Sequence, residues 1–314
     1  MTAEPSTPAT PANFSYASPD DGPLKRVLIH SIETLTGQRR LFRLYTEYAA
    51  STEPRKPFWP AAVEALKLDI RIDRGAADAI PASGPIVVVA NHPFGVVDGL
   101  VLAHLVARRR NDFRLLVHTL LTSAPEPAPW LLPIDFTDSG EARRANAAAR
   151  NTARAWLAGG GALLVFPGGT VSTAPSPFGR AIDPDWQPFV TSLIVKAQAP
   201  VLPVFFEGQN SPLFQVASHI SQTLRLALLF REVARRIGDE VHLSIGEPIP
   251  SRALSAIGDR RAIAQHLRKV TYELGGIPDP QTFPRLQEIA GRRERARPAG
   301  QTQNRLLPAT ARGY

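Results

Sequence analysis

The chain of 314 residues predicts a single α/β domain, a mostly parallel or mixed sheet covered by helices on both faces, with an N-terminal amphipathic helical hairpin. Three observations lead there. From Leu66 onward, short runs rich in Val, Ile and Leu alternate with longer segments whose apolar residues recur every three to four positions, as strands and helices alternate in α/β folds. Runs such as "PIVVVA" and "ALLVF" are apolar almost without interruption, so both faces of those strands must be covered. With 44% hydrophobic residues and no linker long enough to divide it, residues 23–290 suit one large core.

Taken in order, residues 1–22 hold Pro, Ser, Thr and Ala with only acidic charges, and predict a poorly ordered tail. In the hairpin, 23–50, Leu24, Val27, Leu28, Ile32 and Leu35 keep helical spacing, Gly37 interrupts, and Leu41, Leu44, Tyr45 and Tyr48 form a second stripe. Lys25, Arg26, Arg39, Arg40 and Arg43 surround it, so the hairpin suits either the domain's own core or a bilayer surface. "KLDIRIDR" and "GPIVVVAN" then read as strands, "DGLVLAHLVARRR" as a helix and "FRLLVHTL" as a strand. The Ala-rich "EARRANAAARNTARAWLAGG" is helical, "GALLVFPGG" a strand entering a loop, "FVTSLIVKAQA" a helix and "PVLPVFFEG" a strand. "ISQTLRLALLFREVARRIG" is helical, "DEVHLSIGEPI" a strand, and "DRRAIAQHLRKVTYELGG" the closing helix. Residues 291–314, with six Arg against Glu294, predict a basic disordered tail.

Composition narrows the chemistry. Cysteine is absent, which excludes disulfides, a thiol nucleophile and Cys-ligated zinc. The N-terminus lacks the charged start and apolar run of a secretory signal, and no run approaches the roughly 18 apolar residues of a membrane span. The expectation is a cytoplasmic protein whose membrane contact is peripheral. Net charge is +8, of which residues 23–290 carry +6, a balance suited to anionic lipid or to the phosphates of CoA or an acyl carrier.

In α/β folds the site forms just beyond the C-terminal ends of strands, and three of these ends carry unusual residues. After "VVVA" come Asn91 and His92, with Asp98 in the first turn of the next helix. The helix dipole explains a carboxylate there; so does a turn that brings Asp98 back to the imidazole, fixing its tautomer and making His92 a base. After "ALLV", Phe166, Pro167, Gly168, Gly169, Thr170, Ser172 and Thr173 form a glycine-containing, hydroxyl-rich turn without the lysine of a nucleotide P-loop. After "VLPVFF" come Glu207, Gly208, Asn210 and Ser211, with Asn210 or Ser211 suited to a helix cap. His104 and His118 read as core histidines, Arg108 to Arg110 as a helix end that also suits phosphate, and Trp186 as a core or interfacial aromatic.

The ordered set "NHPFGVVDG", "PIDFTDSGEARRAN", "FPGGTVS" and "LPVFFEGQNS" resembles the four blocks of the glycerolipid/lysophospholipid acyltransferase superfamily, and within it the bacterial hemolysin-type acyltransferase branch, over residues 24–250. The resemblance implies His92 as general base and Asp98 as its orienting carboxylate, in direct attack of an acceptor on an acyl thioester. It implies that Gly168 and Gly169 offer backbone N–H groups to the acceptor or the oxyanion, and that Arg143 or Arg144 holds an anionic head group. Phe166, Pro167, Thr170, Ser172, Glu207 and Asn210 complete the implied substrate site. No metal or cofactor is implied. The implied partners are a lysolipid acceptor, acyl-CoA or acyl-carrier protein as co-substrate, and the inner face of the cytoplasmic membrane; nucleic acid is not expected. The spacing here is His-x5-Asp, and Gly168 and Val171 replace the glutamate and arginine usual in the third block. The lost arginine points away from lysophosphatidic acid toward another head group, such as a lyso-aminolipid. A lipid ester or thioester hydrolase using the same pair, and a non-catalytic basic lipid-binding protein, are the alternatives.

Overall fold

The computed structural model describes residues 37–51, 56–135, 139–176 and 178–277. Both tails and the first helix of the expected hairpin lie outside the described residues. The strands are β1 (Asp69–Arg74), β2 (Ile86–Ala90), β3 (Phe113–His118), β4 (Leu131–Ile134), β5 (Ala162–Val165), β6 (Val201–Phe206) and β7 (Glu240–Ile245). They form one sheet in the order β1-β7-β6-β2-β5-β3-β4. Every neighbouring pair is parallel except β6 with β7, so β1 and β7 run against the other five.

Covering both faces explains the composition of the central strands. All five residues of β2 are buried, and they alternate between two cores: Ile86, Val88 and Ala90 face one, Val87 and Val89 the other. On the first face lie α2 (Phe58–Ala65), α3 (Val96–Ala107) and α7 (Gln222–Arg235); on the second lie α4 (Gly140–Ala158), α5 (Pro188–Ala197) and α9 (Arg260–Leu274). The short helices α6 (Pro212–Ile220) and α8 (Ser251–Ser255) complete this set. Two of the longer helices, α4 and α9, start on polar side chains that cap them. Ser139 Oγ accepts from Ala142 N at 2.9 Å and Asp259 Oδ2 from Ala262 N at 2.8 Å, caps worth about 1 kcal/mol each.

The second hairpin helix, α1 (Gln38–Ala49), packs against α7 and α2, so it docks on the domain's own core. The elements β4, α2, α6 and the short α8 were not expected. β4 carries Pro133, which is tolerated because β4 is an edge strand. α6 begins at Ser211, whose hydroxyl accepts from Phe214 N, and α2 is a short helix behind Pro57. Arg110 is structural: it is buried, ion-pairs with Asp112 at 2.7 Å and donates to the carbonyls of Gly84 and Gly160, which precede β2 and β5. Phosphate contact is therefore not its role.

The topology also positions the site. The three strands that precede the polar blocks, β5, β2 and β6, are consecutive neighbours and parallel, with Val89 opposite Val165 and Ala90 opposite Val204. Their C-terminal ends open on one side of the sheet.

Candidate active site

Asn91 closes the end of β2. Its amide donates to Phe206 O (2.8 Å) and accepts from Phe206 N (2.7 Å), continuing the ladder onto β6 through a side chain. The chain then turns through Gly95 at φ 74°, where a Cβ would come within 3.1 Å of both Leu229 and Val171. Only glycine suits that turn. It returns Asp98 to His92, with Nδ1 and Oδ2 3.1 Å apart. The same oxygen accepts from Phe94 N (2.8 Å) and Gly95 N (3.0 Å). Burial pushes the Asp98 carboxyl up from its ordinary value, while the His92 hydrogen bond and charge and the two backbone N–H groups act the other way.

His92 keeps 18% side-chain exposure and lines a cavity of about 1230 Å³, whereas Asp98 behind it is fully buried. Since Nδ1 is engaged by Asp98, Nε2 is the ring nitrogen left for the cavity. Phe166, at the end of β5, stacks on the imidazole at 4.0 Å between centroids and 22° between planes, which holds the ring orientation.

Asp183, which the sequence reading missed, ties this turn to the loop after β5. Its Oδ1 accepts from His92 N (3.1 Å) and Ser172 Oγ (2.5 Å), and its Oδ2 from the Trp186 indole (2.9 Å). Its own backbone N–H donates to Tyr272 Oη and its carbonyl accepts from Arg268. Where the related third blocks carry a glutamate this chain has Gly168, and a Cβ there would lie 3.2 Å from Asp183 Cβ. A carboxylate from further along the chain fills that space. Where they carry an arginine the chain has Val171, and its carbonyl accepts a hydrogen bond from Arg225 of α7.

The expected site residues divide into three groups. His92, Phe166, Gly168, Gly169 and Thr170 line the cavity. Asp98, Pro167 and Ser172 are buried behind that wall; the Ser172 hydroxyl is committed to Asp183 and its N–H donates to His92 O at 2.8 Å, so it locks two loops together. Arg143, Arg144, Glu207 and Asn210 do not reach the cavity. Arg143 and Arg144 are exposed on α4, and Asn146 and Arg150 of that helix line the cavity instead. Arg143 shares their helical stripe but sits about 10 Å further along the axis than Arg150, because a helix rises roughly 1.5 Å per residue. Glu207 is exposed and uses its N–H on His242 O, while Asn210 is buried, with no hydrogen-bond partner for its side-chain amide among the described residues. Gly169 N–H closes the turn onto Phe166 O (3.0 Å), whereas the Gly168 N–H makes no backbone hydrogen bond among the described residues. Trp186 is a core aromatic at 4% exposure, and His118 stands on the cavity wall.

The remaining wall is largely apolar, from Leu41 and Leu44 of α1, Phe58 of α2, and Leu226, Leu229 and Phe230 of α7. Such a chamber is larger than the usual range for small-molecule pockets, roughly 300–1,000 Å³, and suits long hydrocarbon chains. The cavity thus joins the His92 imidazole to a wall suited to hydrocarbon.

The family model described as Acyltransferase matches residues 69–279. The chain belongs to this acyltransferase family. The acyltransferase is similar to two curated lyso-glycine lipid O-acyltransferases. That of Phocaeicola vulgatus is 27% identical over 214 residues, covering 66% of this chain and 74% of the relative. That of Bacteroides thetaiotaomicron is 24% identical over 217 residues, covering 66% and 76%. Among solved structures, the 1-acyl-sn-glycerophosphate acyltransferase PlsC of Thermotoga maritima aligns with a TM-score of 0.46 and 18% identity, covering 80% of this chain and 88% of that one. Among the described residues, no helix of the enzyme is long and apolar enough to cross a membrane.

Proposed function

We propose that the enzyme transfers a fatty acyl chain from a thioester, acyl-CoA or acyl-carrier protein, to the hydroxyl of a lysolipid at the inner face of the cytoplasmic membrane. His92 acts as general base and Asp98 orients it. The observation that carries this reading is the His92 Nδ1 to Asp98 Oδ2 contact at 3.1 Å on the wall of a large apolar chamber. With Nδ1–H donated to Asp98, Nε2 takes the proton of the acceptor hydroxyl as its oxygen attacks the thioester carbonyl. The tetrahedral oxyanion is met by the Gly168 N–H. Collapse breaks the C–S bond, and the thiolate recovers the proton from the imidazolium, leaving an ester and a free thiol.

The similar lyso-glycine lipid O-acyltransferases favour an acceptor of that kind, and so does the absence of arginine at Val171. Each acyl methylene buried in the chamber contributes about 0.8 kcal/mol to binding. The test is a labelled acyl donor offered with a panel of lysolipids that includes lyso-glycine lipid. Wild type should yield the diacyl product, and His92→Ala should lower turnover roughly 10²- to 10⁴-fold. Equal transfer by His92→Ala would overturn the mechanism, and release of free fatty acid without an acylated acceptor would make the enzyme a hydrolase.

A further inference from the structure

One cation on the chamber wall takes no part in the chemistry above. Arg225 enters from the first turns of α7 and is buried at 7% exposure. It donates Nη1 to Thr173 Oγ1 (2.6 Å) and Nη2 to Thr170 Oγ1 (2.8 Å) and to the carbonyl of Val171. All three acceptors are neutral. No carboxylate pairs with it among the described residues, and the ring of Phe214 lies 5.3 Å from its guanidinium carbon. Arg110 is the contrast, since that equally buried guanidinium has Asp112 against it.

A guanidinium taken out of water without a counter-charge is destabilising unless something anionic joins it. Burial draws the Arg225 pKa down to about 10, which still leaves it charged at neutral pH. Among the described residues three of the five N–H groups of the guanidinium are used, so two remain with an unmatched positive charge. Arg225 lines the same cavity as His92, and the loop that receives it also donates Ser172 N–H to His92 O at 2.8 Å. An anion held there would sit one loop away from the base.

We propose that Arg225 is the anchor of an oxyanion subsite in the chamber, taking a carboxylate or phosphate carried by a substrate while Thr170 and Thr173 hold its fork in place. The subsite rests on the reading that the chamber holds the substrates of acyl transfer. The oxyanion belongs either to the acceptor head group or to the phosphates of the donor.

The test compares wild type, Arg225→Met and Arg225→Lys in two arms. The acceptor arm pairs a lysolipid bearing a free carboxylate with its methyl ester at fixed acyl-CoA. The donor arm pairs acyl-CoA with acyl-pantetheine at fixed acceptor. Arg225→Met should raise KM for the charged member of one pair roughly 10- to 100-fold, as expected for lost hydrogen bonds to an ion, and leave the neutral member unchanged. The arm that responds names the source, and Arg225→Lys should recover part of the loss. Equal weakening of both members in both arms would make Arg225 a scaffold of the loop and overturn the proposal. Calorimetric binding of the carboxylate lysolipid, its ester, CoA and pantetheine to the same proteins separates the two readings. If no acceptor is acylated, the acyl-transfer reading fails and binding alone decides on Arg225. A wild type that prefers neither charged ligand refutes the subsite. Should Arg225→Met fail to fold, the comparison of Arg225→Lys with wild type carries the same discrimination.

Discussion

The turn after β2 and the loop after β5 close the same cavity with opposite kinds of contact. In the first, the partners are neighbours in sequence: Asp98 reaches His92, Phe94 and Gly95. In the second, Gly168 to Thr173 contribute no charged side chain, and the charges come from afar, Asp183 onto Ser172 and Arg225 onto Thr170, Val171 and Thr173. Asp183 also holds His92 N, so the distant residue braces the local pair. A short turn can bring a charged partner to a histidine from its own few residues, whereas a loop of glycines and hydroxyls takes its charge from whatever the fold packs against it.

The strongest challenge to the local half is Asp98→Asn. The same oxygen, Oδ2, meets His92 Nδ1, Phe94 N and Gly95 N, so an amide carbonyl placed there keeps all three hydrogen bonds but removes the negative charge that would stabilise an imidazolium. Turnover should fall roughly 10²- to 10⁴-fold while lipid binding changes little. Stability should move the other way. Burial raises the Asp98 pKa in the fold above its ordinary 3.8, so the carboxyl's contribution is fully present below 3.8 and lost as pH rises through the folded value. In urea unfolding, Asp98→Asn should therefore gain on wild type as pH increases from acid toward neutral. A gap that shrinks with pH would mean that the hydrogen bonds to Oδ2 outweigh the burial.

The distant half is tested by Asp183→Ala. It strands the His92 N–H, the Ser172 hydroxyl and the Trp186 indole, and should cost about 2–5 kcal/mol in denaturant unfolding. Turnover of the remaining folded enzyme should drop too, because the two loops lose their common anchor. Unchanged stability would show that the loops hold without it. The smallest effects belong to Arg143→Ala and Arg144→Ala, expected within about 0.5 kcal/mol in stability and without change in KM for any lysolipid. A raised KM in either would move head-group binding onto the start of α4.

The same division decides what was legible in the sequence. The apolar runs of β2, β5 and β6 and the spacing of the main helices are local signals, and the structure follows them within a few residues. β4 was hidden by its four-residue length and Pro133, and α6 by a short segment that read only as a cap. His92 and Asp98 were legible as a candidate pair because only five residues separate them, and the structure brings them together. Arg143 and Arg144 were drawn from the right helix, but only the packing of α4 decides that Asn146 and Arg150 reach the chamber.

By itself, then, the sequence determined the α/β class, the strand ends that bear polar residues and the turn that joins a histidine to a carboxylate, since each depends on φ/ψ preferences and side-chain periods over a few residues. Tertiary structure alone decided that β5, β2 and β6 lie side by side and that α1 roofs an apolar chamber with α7. It also decided that Asp183 and Arg225 occupy the space beside Gly168 and Val171. Those placements arise from burying apolar faces of elements far apart in the chain, and hydrophobic burial, being non-directional, leaves no local mark of which distant side chain will arrive.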